Sequence, residues 1–184
     1  MKLVLDDELL RALRHRRNEQ RAALQGRVAS RATFSASAAD WFRRRLRSRS
    51  SISRVMADEF VGAMDELQQE VEDEYDAFLL DPGMGPMIYL TSDGRVLLDF
   101  RSWDGDEVRE ATEDEAIGAL VVGAKKTGLP KLLDLIPPPP EEGMECPMCH
   151  GARWARLHPE WASTMVCITC SGRGWIPPTG STRP

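Results

Sequence analysis

Residues 146–154 read Cys146-Pro147-Met148-Cys149-His150-Gly151-Ala152-Arg153-Trp154, and residues 167–175 read Cys167-Ile168-Thr169-Cys170-Ser171-Gly172-Arg173-Gly174-Trp175. These two stretches hold all 4 cysteines of the 184-residue chain. Each is a Cys-x-x-Cys pair, one spacer and a glycine, with a tryptophan five residues past the second cysteine. The 17 residues between Cys149 and Cys167 fall in the spacing range of a four-cysteine zinc site. A Cys-x-x-Cys turn lets two thiolates converge on one ion, and zinc takes four soft ligands in a tetrahedron. The expected ligands are Cys146, Cys149, Cys167 and Cys170, holding one structural Zn2+. Four thiolates leave no position for water or substrate, so such an ion is structural and not catalytic. A ribbon of this size buries too little apolar surface to fold alone, and the metal supplies the missing stability. Two disulfides are the competing use of four cysteines, but they need an oxidising compartment, and the sequence shows no signal peptide. His150 and His158 are read as bystanders.

The second half, with Cys167, Cys170, Gly172 and Gly174, resembles the Cys-x-x-Cys-x-Gly-x-Gly repeat in the cysteine-rich domain of DnaJ-type co-chaperones. The first half departs from it at Arg153, which stands where the second glycine belongs. The resemblance spans residues 146–175 only. The family domain carries four repeats and two ions, so two repeats imply one ion. The resemblance also implies a small rigid surface offered to a protein partner, with Trp154, Trp161 and Trp175 as natural aromatic anchors. The chain has no J-domain His-Pro-Asp signature, so co-chaperone activity is not implied.

Outward from this module, charge divides the chain into blocks. Residues 1–54 carry 14 Arg and Lys against 5 acids, residues 55–145 carry 6 against 23, and residues 146–184 carry 4 against 1, within a total of −5. Asymmetry of this kind says more than the total. The sharpest basic cluster is Arg43, Arg44, Arg45, Arg47 and Arg49, directly after Trp41 and Phe42. It fits phosphate contacts with aromatic stacking on a nucleic acid, attachment to an anionic lipid surface, or pairing with the acidic middle of this chain or of a second copy. No apolar run is long enough to span a membrane, so the expectation is a soluble, cytoplasmic protein.

In chain order, Leu5, Leu9, Leu10 and Leu13 recur at helical spacing and predict a helix over residues 3–30. Asp6, Asp7 and Glu8 belong to its first turn, and after Leu13 its apolar stripe thins. Met56, Phe60, Ala63, Met64, Leu67, Val71, Tyr75 and Phe78 predict a long helix with an acidic outer face, ended by Asp81-Pro82-Gly83. Met87–Leu90 and Val96–Phe100 flank Asp93-Gly94 and predict a hairpin whose strands are covered on both faces, or have one face under a helix and one at an interface. A third strand is expected over Glu107–Ala111. Asp104, Asp106 and Glu107 read as a plain turn and lack the register of a calcium loop. Thr112 to Glu115 is a capping box opening a helix that Gly128 and Pro130 end. Pro137 to Pro140 form a stiff spacer.

The expected fold class is α+β: a helical N-terminal region, a small helix–hairpin–helix body and a C-terminal treble- or ribbon-like single-zinc module. The divisions are residues 1–50 (basic helical arm), 51–136 (body), 137–143 (proline-rich linker), 144–176 (zinc ribbon) and 177–184 (disordered tail). The body's element order, with its Tyr-Leu-x-x-Asp-Gly hairpin at residues 89–94 and late amphipathic helix, is similar to the SUKH superfamily of bacterial immunity proteins.

No catalytic constellation emerges. There is no Gly-x-Ser-x-Gly, phosphate-binding loop or His-Glu-x-x-His, and the three histidines stand away from any nucleophile. A non-enzymatic zinc-binding adaptor for a protein partner is therefore the leading expectation. The alternatives are a nucleic-acid-binding protein using Arg43–Arg49 with Arg153, Arg156 and Arg173, and a self-assembling or SUKH-like immunity protein. In the self-assembling case, the basic arm of one copy docks on the acidic helix of the next.

Overall fold

The computed structural model of the chain describes residues 2–25, 64–82, 86–101, 107–156 and 164–177. The Arg43–Arg49 cluster, the first turns of the long acidic helix, Asp104, Asp106, His158, Trp161 and residues 178–184 lie outside the described residues.

The body is built on a four-stranded antiparallel meander, β1 (Ala77–Asp81), β2 (Met87–Thr91), β3 (Val96–Asp99) and β4 (Val108–Glu110), paired in chain order. Successive side chains on a strand face opposite sides, and both sides here are apolar. Phe78, Leu80, Leu90, Val96 and Leu98 face one way. They pack with Leu9 and Leu13 of a helix over residues 7–25 (α1) and with Ile117, Leu120 and Val121 of the helix Glu113–Thr127 (α3). Ala77, Leu79, Met87, Tyr89 and Leu97 face the other way, against Leu67 and Val71 of a helix over residues 64–74 (α2). The nearly continuous apolar strands thus reflect a sheet covered on both faces. A short 3-10 helix, Pro130–Leu135, follows α3 and buries Leu132 in the first core.

Three expectations need correction. The long acidic helix does not run through Phe78 to Asp81. It ends at residue 74, Asp76 turns the chain with φ 44, and residues 77–81 form β1. Tyr75 and Phe78 do fit a helical step. Ala77-Phe78-Leu79-Leu80, however, bury all four side chains as a strand covered on both faces, where Phe78 pairs with Leu90 and Leu79 with Tyr89. The strand over Glu107–Ala111 is therefore fourth in the sheet, not third. The first helix also starts later than residue 3. Asp6 is its cap, accepting the Leu9 N–H at 2.6 Å, and residues 2–6 are not helical. The Leu3 N–H donates instead to the Gly94 carbonyl at 2.8 Å. Gly94 has φ 86, and a Cβ there would lie 1.9 Å from the Leu3 carbonyl oxygen. Only glycine meets both demands at this hairpin tip.

Charged groups knit the layers. The Glu72 side chain is fully buried, with Arg21 Nε of α1 at 3.1 Å and Gln68 Nε2 at 2.9 Å. Arg17 bonds Asp76 at 2.8 Å, and Arg16 donates to the Thr127 carbonyl at the C-terminal end of α3. Asp99, also fully buried, accepts from the backbone N–H and Nε of Arg101, which reaches Glu70 on α2 at 3.0 Å. The first helix is thus packed on the core as well as ion-paired. At the start of α3 the capping box between Thr112 and Glu115 is complete, and Gly128 closes the other end with φ 71.

Removing Arg21 strips its guanidinium from a buried carboxylate that, among the described residues, then keeps only the Gln68 hydrogen bond. Arg21→Ala should destabilise the fold by about 1–3 kcal/mol in denaturant titrations. Glu115 is held near pKa about 2, below its ordinary 4.5, first by the bidentate Arg109 guanidinium and then by Thr112. A depressed carboxylate contributes stability that is full above its unfolded pKa and lost as pH falls through its folded one. The stability gap between the wild type and Glu115→Gln should therefore be widest above about pH 4.5 and close as pH falls to about 2, read by denaturation at a series of pH values.

Candidate metal centre

The two cysteine turns are joined by short strands exchanged between them. β5 (Met144–Glu145), which enters the first turn, pairs with β8 (Trp175–Ile176), which leaves the second. β6 (Trp154–Ala155), which leaves the first, pairs with β7 (Met165–Val166), which enters the second. The Cys146 N–H donates to the Gly174 carbonyl at 3.0 Å, and the Cys167 N–H donates to the Arg153 carbonyl at 2.9 Å. Residues 153 and 174 hold equivalent places, so the two halves lock each other by the same bond given in both directions. The internal sequence repeat has become an approximate two-fold arrangement around the cysteines.

That arrangement brings Cys146, Cys149, Cys167 and Cys170 together, all buried, with their sulfurs within 4.8 Å of one another. Cys146 Sγ lies 3.8 Å from Cys167 Sγ, and Cys149 Sγ lies 3.7 Å from Cys170 Sγ. An ion about 2.3 Å from four tetrahedral sulfurs holds them about 3.8 Å apart. A disulfide needs about 2.05 Å, and all four cysteines are free. The residues present therefore fit one four-coordinate ion. Burial pushes the Cys149 thiol up to about 12 and raises Cys170 as well. Burial also opposes ionisation of Cys146, but the N–H groups of Cys149 and Met148 together with the neighbouring Cys149 and Cys167 thiols lower that thiol. A cation among four such sulfurs favours the thiolate at all of them. His150 is exposed and lies 3.6 Å from Glu145, outside the sulfur cluster.

Backbone shape explains the glycines. In each half the two residues after the second cysteine, and the fourth after it, have positive φ: His150, Gly151 and Arg153 in one, Ser171, Gly172 and Gly174 in the other. Arg153 therefore keeps the left-handed conformation (φ 67) of the glycine it replaces. Gly174 has no such latitude, because a Cβ there would meet the Gly151 carbonyl oxygen at 2.9 Å.

The module lies against α3. Arg173, 7% exposed, pairs with Glu113 at 2.9 Å and with Asp114 in the helix's first turn. A Cβ on Gly172 would be 3.0 Å from Val121. Trp154 and Val166 pack on the first core, with Lys125 Nζ 4.4 Å from the Trp154 ring centroid. Arg153 also reaches the Leu133 carbonyl at 3.4 Å. Pro137–Pro140 are exposed and link two units that touch. Of the residues considered as partner anchors, Trp154 thus meets the protein's own body. Trp175 is half-buried beside Arg173, while Trp161 and Arg43–Arg49 are not among the described residues. The Arg173 contact carries no local sequence signal, since its partners lie 60 residues away. The only hint is the acidic triplet Glu113-Asp114-Glu115 opening a helix. No described helix is long and apolar enough to cross a membrane.

Gly174→Ala should weaken metal binding by about tenfold or more, from backbone collision added to left-handed strain of about 1–2 kcal/mol. Arg153→Gly should change it by less than about threefold, because relief of strain offsets the lost Leu133 contact. Competition with a chromophoric chelator measures both. No protein-family model, curated protein or solved structure matches the chain, so neither the DnaJ-type nor the SUKH resemblance gains specific support.

Proposed function

We propose that the chain is a non-enzymatic zinc protein whose cysteine module holds one structural Zn2+ and offers a compact surface to a protein partner. The observation that carries the zinc reading is the convergence of four buried sulfurs within 4.8 Å of one another, two of the pairs at 3.7 and 3.8 Å. Four thiolates and no oxygen ligand suit a soft or borderline tetrahedral ion, and zinc is the redox-inert member of that class. The closed set leaves such an ion without a site for substrate.

The partner reading is supported by where apolar side chains are left in the open. Among the described residues the exposed large hydrophobics are Val4, Met144, Met148, Met165 and Ile168. The last four all belong to the cysteine module, with Met148 at 52% and Ile168 at 66% exposure inside the Cys-x-x-Cys turns themselves. Flexible, polarisable methionines suit adaptable contacts. The arginines that a nucleic-acid role would take from this module are partly engaged elsewhere: Arg173 with Glu113 and Asp114, and Arg153 with Leu133. Arg17 and Arg21 likewise occupy acids of the chain's own Asp76, Glu72 and Asp73.

Native mass spectrometry of the purified protein should show one zinc per chain, lost in Cys167→Ser. Zero zinc with a mass four protons lower would mean two disulfides and overturn the reading. A variant with Met144, Met148, Met165 and Ile168 changed to glutamine should keep its zinc and lose the partner that the wild type retains in affinity purification. Equal recovery with both proteins would move the contact elsewhere.

A further inference from the structure

The cysteine module meets the body mainly along one face of α3, with one further bond from Arg153 to Leu133 in the 3-10 helix, through residues other than the four cysteines. Gly172 and Arg173 come from the second cysteine turn, Trp154 and Val166 from the strands that pair the two turns. On the helix side stand Glu113 and Asp114 in the first turn, Gly118 and Val121 in the middle, and Lys125 in the last turn. Each contact from the module depends on the fold of the turns. Gly172 approaches Val121 only with its φ of 84, and Arg173 reaches the two acids from the next position. A 30-residue module without its ion loses the constraint that holds these positions.

We propose that metal occupancy and docking on α3 are thermodynamically coupled, so that loss of the ion releases the module from α3 and uncovers this helix face. The inference rests on the metal reading above. By linkage the coupling is reciprocal: whatever blocks docking must weaken the ion's binding, even from a helix that carries no ligand. The device makes the helix face a reporter of metal status, covered when the site is loaded and open when it is empty.

Gly118 gives the cleanest test. It faces the module with only Val166 Cγ1, at 3.9 Å, near the place of a Cβ. Gly118→Ala fits that space and strengthens the helix, whereas Gly118→Glu drives a long charged side chain against Val166 while leaving a good helix former in place. The double variant Glu113→Gln/Asp114→Asn removes the charge partners of Arg173 without adding bulk. Zinc affinity of the full chain would be measured by chelator competition, with far-UV circular dichroism to confirm the helices. Gly118→Ala should bind within about twofold of the wild type, and the other two should bind about tenfold more weakly or worse. Equal affinity in all four proteins overturns the coupling. Should Gly118→Glu fail to fold, the double variant decides alone. A wild-type protein that binds no zinc would instead defeat the metal reading, so the two failures are distinct.

Discussion

A segment of some 30 residues with four cysteines cannot cover its own core, and the architecture of the C-terminal third answers that constraint. Among the described residues, the module's own apolar cluster comprises the cysteines, Ala155 and the flank of Ile176. Two further sources of order make up the deficit. One is the convergence of four sulfurs on a point where an ion fits. The other is the side of α3, which receives Trp154, Val166, Gly172 and Arg173. The module is therefore better described as an added layer on the body than as a bead on a proline tether. The exchange of strands between the two cysteine turns serves the same need, since neither turn closes without the other's backbone carbonyl.

The body solves a different problem. Its strands are apolar on both faces, so one helical layer cannot cover them, and α1, α2 and α3 are all required. The charge blocks of the sequence are the means of bringing two of those helices together. Arginines of α1 meet the acids of α2 and of the turn that follows it, with one carboxylate, Glu72, taken fully out of water. Burying a charge in this way is tolerable because Arg21 and Gln68 both reach it.

The four cysteines, the hairpin with its Asp93-Gly94 tip and the capped α3 were legible in the sequence because each is a local pattern with one dominant physical reason. What escaped was non-local. Ala77–Leu80 could be either the tail of a helix or a strand until β2 was there to pair with it, and the turn at Asp76, a non-glycine with positive φ, leaves no signal in composition. At the cysteine cluster the residue types announced which side chains converge, while Arg153 looked like a broken repeat. The backbone shows that the conformation is kept although the glycine is not. Docking on α3 was illegible because Arg173 and its acidic partners are distant in sequence, and an acidic first helical turn has its own sufficient reason in the helix dipole.

The bond from Leu3 to the Gly94 tip has a consequence for the order in which the chain can assemble. Leu3 finds its backbone partner some 90 residues later in the chain, and Arg16 of α1 waits longer still, for the end of α3 at Thr127. Until then the leucine stripe of α1 has no sheet to cover it. Folding of the body is thus governed by closure between its two ends, a high-contact-order event that is slow compared with formation of any single helix or hairpin. During synthesis, the interval between the emergence of Leu13 and that of Thr127 is when this protein is most exposed to wrong associations.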